Sequence, residues 1–276
     1  MGNMKFFESL IMGLITGFTE FLPISSDAHQ QILGTLFGVN YNDPIRKLLV
    51  HIAIFLAVFM ATARKRRYQA LAYENQIRKR RNQRISHATM EYRLVRLALI
   101  PFLTTYFLLY FIFPFKENLL ITSVCLLING IVIYLPSRML QGNKNANVMS
   151  SLEIILIGIA AGLSAITGIS RIGWMVSVAA FCSADRKAST GWALLLSVSA
   201  CAAQICVDIF EIFAGNGAAF WSNIIFYLLA AVLAYFGAQA GMHILTKHMS
   251  KNGCSNYAYY CWGAALLALI LYLTIA

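Results

Sequence analysis

Long apolar runs alternate with short polar segments along the whole chain. Six runs are long enough to cross a bilayer as helices. They cover residues 48–63, 94–115, 119–135, 190–209, 219–240 and 258–276. Two further apolar segments, 9–39 and 152–182, are interrupted near their centres by proline, glycine and serine. The pattern predicts an all-α membrane protein with six transmembrane helices and two re-entrant helical pairs, each of which enters the membrane and returns to the same side.

The two interrupted segments carry related sequences. The first reads GLITGFTEFLPISS over residues 13–26, and the second reads GIAAGLSAITGISR over residues 158–171, so the copies lie 145 residues apart. Both copies place two glycines four residues apart and then break the apolar run with Pro23 or Gly168 beside serines. Discontinuous membrane helices of this kind expose backbone groups and hydroxyls where a site can form.

The repeat divides the chain into two halves, residues 1–145 and 146–276, within one integral membrane domain that covers residues 1–276. Three of the predicted spans separate the two copies, and three crossings reverse the direction of the chain. We therefore expect an inverted repeat in which the tips of the two motifs meet near the middle of the membrane.

Positive charge is concentrated in one segment of the chain. The formal net charge is +11, yet 59% of the residues are hydrophobic and only 12% are charged, which excludes an ordinary soluble domain. Eleven of the 22 Lys and Arg residues lie between Arg64 and Arg96. A basic loop at 64–93 is therefore predicted to stay in the cytoplasm. We interpret it as a topological determinant that contacts anionic membrane lipids, and we expect no nucleic-acid partner.

The same rule assigns the remaining loops to the two sides. We expect three loops outside the cell because they carry few cations, namely 40–47, 114–118 and 210–218.

Ionisable side chains lie inside the apolar motifs. The first copy carries Glu20 and His29, and the second carries Arg171. Because an ionisable group inside a membrane is costly unless it is paired or hydrated, these side chains require partners and can serve each other. The guanidinium of Arg171 also suits phosphate oxygens, and the backbone N–H groups that follow Pro23 and Gly168 can bind an anion.

Ser26 and His29 lie three residues apart, so on a helix they face the same way. That arrangement suits a hydroxyl nucleophile with an adjacent base, or a histidine that attacks phosphorus directly. Ser25 and Ser170 supply further hydroxyls. Simpler interpretations are a helix break with capping serines and a packing histidine. The duplication of the motif favours a site.

Several of these segments together resemble a known family. They are TEFLPISS (19–26) with a histidine at 29, GISR (168–171), ADRKA (184–188), LLLS (194–197) and VHI (50–52). The resemblance is to the undecaprenyl-diphosphate phosphatases of the bacitracin-resistance type, and it spans nearly the whole chain. It implies hydrolysis of undecaprenyl diphosphate to undecaprenyl phosphate and inorganic phosphate. The site would face the outer side of the bacterial inner membrane, and the reaction would recycle the carrier lipid of cell-wall (peptidoglycan) synthesis.

The resemblance also implies roles for individual residues. Glu20 is expected to be a metal ligand or acid/base, Ser26 and His29 are the candidates for nucleophile and base, and Arg171 with Ser170 would clamp the diphosphate. Further substrate-binding candidates are Ser25, Asp27 and Gly168. A divalent cation, Mg or Ca, is the expected cofactor. The expected partners are the lipid substrate and membrane lipids, and a homodimer is left open.

The chain departs from the family's pattern beside these residues. Thr16 stands where the family has a first glutamate, and Asp27 and Ala28 stand where it has threonine and glycine. Ile172 replaces a serine after the arginine. Asp27 is a candidate to supply the missing carboxylate. These departures leave a second hypothesis, a non-hydrolytic polyprenyl-phosphate carrier or flippase that keeps the inverted-repeat scaffold and its anion clamp.

Overall fold

The computed structural model describes residues 2–38, 41–77, 85–112, 118–216, 220–249 and 254–275. These residues form ten α-helices and no β-strand. The first five helices are α1 (Gly2–Glu20), α2 (Ser26–Phe37), α3 (Pro44–Ile77), α4 (Ile85–Ile112) and α5 (Leu119–Tyr134). The second five are α6 (Ser151–Gly162), α7 (Arg171–Phe181), α8 (Arg186–Glu211), α9 (Phe220–Met249) and α10 (Ser255–Ile275). Short 3-10 helices follow α5 (Leu135–Arg138) and α6 (Leu163–Ala165), and a π-helical turn follows α8 (Ile212–Asn216).

Six helical segments in the described part of the chain are long and apolar enough to cross a membrane. They are Pro44–Ala63, Arg93–Ile112, Leu119–Arg138, Arg186–Ala214, Ile224–Met249 and Ser255–Thr274. The six predicted spans are thereby confirmed. Both interrupted segments break where the motif predicts, because α1 ends at Glu20 and α2 begins at Ser26, while α7 begins at Arg171. The re-entrant course of each pair stays a prediction.

The segment predicted as a basic loop, 64–93, is largely helical. Helix α3 continues to Ile77, and α4 begins at Ile85, while residues 78–84 lie outside the described residues. The segment contains no glycine or proline and is rich in alanine, arginine, lysine and glutamine, which favour helix wherever tertiary packing does not forbid it. Its cytoplasmic location stays a prediction.

The two halves pack on each other in a reciprocal way. Helix α1 of the first half packs along α9 of the second, and α6 of the second half packs along α4 of the first. The third helices of the two halves, α3 and α8, contact each other, and so do the fifth helices, α5 and α10. Each half therefore covers the first helix of the other, and the two repeats form one packed unit.

The paired glycines of the motif allow the first helix of each half to approach its partner closely. A Cβ atom added to Gly17 would lie 2.1 Å from the carbonyl oxygen of Ala234 in α9, and one added to Gly13 would lie 2.3 Å from another carbonyl oxygen of that helix. The equivalent Gly158 of α6 lies against α4, where an added Cβ would be 2.4 Å from the carbonyl oxygen of Ala98. Small residues four apart serve this purpose in membrane helices, which gain little from the hydrophobic effect.

Polar caps fix the start of the second motif and of the helix that follows it. Ser150 and Glu153 form a capping box at the start of α6, and Lys144 donates to the Glu153 carboxylate over 2.7 Å. These donors lower the pKa of Glu153, the hydrogen bond from Lys144 having the largest effect. At the start of α8, the carboxylate of Asp185 accepts from the N–H of Ala188 over 2.8 Å. The ADRKA segment is thus a helix N-cap.

We expect Gly17→Ala to destabilise the protein, because its methyl group would force α1 away from α9. Overpacking of this kind costs about 1–3 kcal/mol. The matched control is Gly263→Ala in α10, where an added Cβ meets no atom within 4 Å. Thermal unfolding in detergent should show a lower midpoint for Gly17→Ala only. Equal midpoints for the two variants would contradict the close packing of α1 on α9.

Candidate active site

The two helix breaks contact each other directly. The N–H of Gly168 donates to the hydroxyl of Ser25 over 3.1 Å, and the hydroxyl of Ser170 donates to the carbonyl of Leu22 over 3.1 Å. The predicted meeting of the two motif tips is therefore confirmed as a contact, although its depth in a membrane stays a prediction. Each break supplies partners for polar groups that the other break leaves without a helical hydrogen bond.

Asn129 of α5 joins the same junction, and sequence reasoning missed it. Its Oδ1 accepts from the N–H of Ser170 over 2.9 Å, and its Nδ2 donates to the carbonyl of Pro23 over 3.4 Å. The side chain is fully buried. An amide inside the otherwise apolar span Leu119–Arg138 was the available signal, because a polar side chain at such a position needs specific partners.

The backbone conformations at the junction are specialised. Gly168 has φ +101°, and a Cβ at this position would lie 2.6 Å from the Cβ of Cys125, so glycine is required. Ser25 has φ 65° and ψ 104° without being glycine, which costs about 1–3 kcal/mol and persists only where surrounding contacts enforce it. We predicted that Ser25, Gly168 and Ser170 bind substrate. In the structure, their polar groups form hydrogen bonds within the junction. Their contact with substrate stays a prediction.

Glu20 and Arg171 form a buried ion pair between the repeats. Nη2 of Arg171 lies 2.5 Å from Oε1 of Glu20, and their side chains are only 4% and 6% exposed. Nη1 of Arg171 donates to the side chain of Gln204 over 3.4 Å. The Nε atom has no hydrogen-bond partner within the described part of the chain. The two groups serve each other, as the sequence led us to expect, and one guanidinium donor is unused.

Ser26 and His29 are not hydrogen-bonded to each other. The hydroxyl of Ser26 donates to the carbonyl of Thr16 over 3.3 Å. Nδ1 of His29 donates to the carbonyl of Ser25 over 2.7 Å, so Nε2 accepts from the hydroxyl of Tyr260 over 2.8 Å. The ring also stacks on Tyr260, with 5.5 Å between the ring centroids. Their roles as nucleophile and base stay predictions, and both His29 nitrogens already have protein partners.

A polar cavity of about 430 Å³ lies beside the junction. Its lining consists of Asp27, Gln30, Gln31, Tyr41, Asn42, Lys47, His51, Tyr106, Tyr110, Ser164, Ala165, Thr167, Gln204, Val207, Asp208 and Glu211. One face of α2 carries three of these lining residues, Asp27, Gln30 and Gln31. The exposed surface of Asp27 adjoins the cavity. Gln204 links the cavity to the buried ion pair, because it contacts Arg171.

Two ionisable pairs in the cavity wall were missed by sequence reasoning. Nδ1 of His51 in α3 lies 2.5 Å from Oδ2 of Asp208 in α8. Tyr110 of α4 donates to the carboxylate of Glu211, also in α8. Ionisable residues inside apolar spans are rare and mark functional sites by default, so the presence of His51 and Asp208 in predicted spans was a usable signal. What the sequence could not give was their pairing, which joins residues 157 positions apart.

The cavity lining carries more carboxylates than cationic side chains, whereas a simple anion site would have an excess of cations. Three carboxylates, Asp27, Asp208 and Glu211, line it together with Lys47 and His51. The described residues contain no group of three or more His, Cys, Asp or Glu side chains able to hold a metal ion. A cation bound here would therefore need oxygen ligands from a bound molecule or water in addition to those of the protein.

These features define a multi-pass helical membrane protein whose repeats meet at a buried ion pair beside a polar cavity. The chain belongs to the family described as bacitracin resistance protein BacA, which it matches over residues 9–267. This match confirms the resemblance carried by the sequence motifs.

Individual relatives match along almost their whole length. The chain is 26% identical to an undecaprenyl-diphosphatase of Carboxydothermus hydrogenoformans, with 97% of this chain and 98% of the relative covered. It is 26% identical to an undecaprenyl-diphosphatase of Syntrophotalea carbinolica, with 94% and 96% covered. It is 25% identical to undecaprenyl-diphosphatase 3 of Bacillus cereus, with 98% and 99% covered.

We expect Arg171→Met to lower the free energy of unfolding by about 3–5 kcal/mol, because it leaves the carboxylate of Glu20 buried without a counter-charge. The double variant Glu20→Gln/Arg171→Met should lose less than the sum of the two single variants, because no unpaired charge remains. SDS-titrated unfolding in mixed micelles measures all three. Additive losses would show that the two side chains do not interact.

Proposed function

We propose that this protein hydrolyses undecaprenyl diphosphate to undecaprenyl phosphate and inorganic phosphate, and so recycles the carrier lipid of cell-wall synthesis. The observation that carries this proposal is the Arg171 guanidinium, which Glu20 holds against Gln204 of the cavity wall and whose Nε has no hydrogen-bond partner among the described residues. The names of the relatives support the same reaction. A guanidinium fork stabilises the charge that moves to the leaving phosphate when the phosphoanhydride bond breaks.

A divalent cation, Mg or Ca, is proposed to accompany the diphosphate. With three carboxylates against Lys47 and His51, the cavity lining has no excess of positive charge to offset a diphosphate. Mg²⁺ is commonly bound by one or two carboxylates together with substrate phosphates and water. Asp27 and Glu20 are the proposed protein ligands of this cation. Two protein ligands are consistent with the described residues, which contain no group of three or more side chains able to hold a metal ion. When bound, the cation would neutralise phosphate charge.

The proposed substrate enters from the outer side of the bacterial inner membrane. Among the lining residues, Tyr41 and Asn42 lie just before α3 and Lys47 lies in its first turn. Tyr110 and Glu211 lie at the ends of α4 and α8. These helix ends adjoin the loops that carry few cations and that the charge pattern assigns to the outside. The apolar surface of the spans would contact the prenyl tail and membrane lipids. A homodimer stays a prediction.

The alternative of a non-hydrolytic carrier or flippase is not favoured. It was suggested by Thr16 and Ile172, which replace polar groups of the family's pattern. In the structure, the hydroxyl of Thr16 donates to the carbonyl of Met12 within its own helix over 2.6 Å. Asp27 brings a carboxylate to the cavity, where it can replace the one that is absent at Thr16.

We expect Arg171→Lys to lower kcat/KM for phosphate release by about 100-fold, because lysine keeps the charge that balances Glu20 but loses the planar fork of donors. The assay uses detergent-purified protein, undecaprenyl diphosphate and added Mg²⁺, with the unfolding temperature as a check on the fold. A folded Arg171→Lys protein with wild-type turnover would remove Arg171 from the clamp. Wild-type protein that binds the lipid but releases no phosphate would favour the carrier.

We expect Asp27→Asn to raise the concentration of Mg²⁺ needed for half-maximal activity by about tenfold or more, because a charged oxygen ligand is lost. The matched control is Glu211→Gln, which neutralises another cavity carboxylate that already accepts a hydrogen bond from Tyr110. A magnesium titration of both variants distinguishes a ligand from a general change in charge. An unchanged titration for Asp27→Asn, or equal shifts in both variants, would remove Asp27 from the cation site.

A further inference from the structure

The cavity wall contains a second histidine whose geometry differs from that of His29. Nδ1 of His51 lies 2.5 Å from Oδ2 of Asp208, and the two side chains are 8% and 5% exposed. The two residues come from different repeats, since His51 lies in α3 and Asp208 in α8. Both line the polar cavity.

The two histidines differ in which nitrogen is free to act. Both nitrogens of His29 have protein partners, the carbonyl of Ser25 and the hydroxyl of Tyr260. Nε2 of His51 makes no hydrogen bond within the described part of the chain, and the residue borders the cavity. A carboxylate on Nδ1 fixes the tautomer that leaves Nε2 with a lone pair, and it stabilises the charge that develops when Nε2 takes a proton.

Physical grounds argue against a purely structural role for the pair of His51 and Asp208. A buried ion pair in a low-dielectric interior contributes little net stability compared with apolar residues of the same size. Inside membrane spans, ionisable residues mark proton relays and substrate paths by default. A structural pair would also not need to border a polar cavity that reaches Gln204, the residue in contact with Arg171.

Titratable and charged groups from several helices line the cavity with His51. They are Asp27 on α2, Lys47 on α3, Tyr106 and Tyr110 on α4, and Asp208 and Glu211 on α8, and Glu20 on α1 also interacts electrostatically with His51. Of these, only Asp208 is hydrogen-bonded to the imidazole.

We propose that His51 is the general base of the hydrolysis and that Asp208 is its positioning residue. Nε2 of His51 takes a proton from a water molecule in the cavity as the water oxygen attacks the terminal phosphorus. The new P–O bond forms while the bridging P–O bond breaks, and its electron pair stays on the bridging oxygen of the departing lipid monophosphate. The proton on Nε2 then passes to the released phosphate or to water, which restores the neutral imidazole. Since this inference rests on the proposed phosphatase activity, its test includes a measurement that separates the two.

The central experiment compares kcat and KM of wild-type protein with those of His51→Gln and Asp208→Asn, using undecaprenyl diphosphate and Mg²⁺. Loss of a general base costs about 10²- to 10⁴-fold in rate, so we expect His51→Gln to lower kcat by about 100-fold or more with little change in KM. Asp208→Asn should lower kcat by a smaller factor. The matched control is His243→Gln on an exposed face of α9, which should leave both constants unchanged.

A chemical-rescue experiment tests the proton transfer itself. In His51→Ala, added imidazole should restore part of kcat, and it should do so better above the pKa of free imidazole, where the neutral base is present. A structural role for His51 would give no such rescue.

The outcomes separate the proposals from each other. If wild-type protein releases no phosphate, the phosphatase function fails. If wild-type protein is active but folded His51→Gln keeps its kcat, or raises KM alone, His51 is not the base and the phosphatase function stands. If His51→Gln unfolds because Asp208 is left unpaired, the double variant His51→Gln/Asp208→Asn replaces it, and wild-type kcat in that variant would equally overturn the proposal.

Discussion

Two helix breaks inside an apolar protein leave backbone N–H and C=O groups that water cannot reach, and the rest of the structure depends on how these groups are satisfied. Here each break supplies partners for the other. The hydroxyl of Ser25 accepts from Gly168, the hydroxyl of Ser170 donates to Leu22, and Asn129 bonds to both segments. Each break therefore depends on the other repeat for hydrogen-bond partners, so the site and the junction between the repeats form together.

Helix packing also makes each repeat depend on the other, at points further from the junction. The glycines at 13 and 17 bring α1 against α9, and their counterpart at 158 brings α6 against α4. Because the first helix of each half lies on the other half, the register of these contacts sets where Glu20 and Arg171 lie. The ion pair with Glu20 then holds the guanidinium of Arg171 in contact with Gln204, which lines the cavity.

The polar cavity follows from the faces that the helices present. Helix α2 turns Asp27, Gln30 and Gln31 towards the cavity, while His29 contacts Tyr260 of α10. Helices α3 and α8 contribute His51 and Asp208, which meet across the boundary between the repeats. A diphosphate in this cavity would meet carboxylates as well as cations, and the arginine together with the proposed divalent cation would balance its charge.

Much of this protein could be predicted from its sequence, for reasons that are local. Span length and apolar composition set the six membrane helices, and the duplicated motif set both break points, since α2 and α7 begin at Ser26 and Arg171, the last residue of each copy. The need of buried Glu20 and Arg171 for partners also followed from burial alone. Within the segment predicted as a basic loop at 64–93, residues 64–77 and 85–93 are helical, because a charged stretch without glycine or proline favours helix.

Which polar groups meet, and which face the cavity, depends on the packing of helices that are distant in the sequence. Ser26 and His29 share a helix face, but distant residues supply their partners, so spacing could not show that His29 is held by Tyr260. The pairing of His51 with Asp208 joins residues 157 positions apart, and hydropathy contains no information on contacts at that separation. Local sequence was enough to predict the helices, their breaks and the ionisable groups that need partners. The packing of one repeat on the other chose those partners, because contacts between distant segments depend on the approach of whole helices.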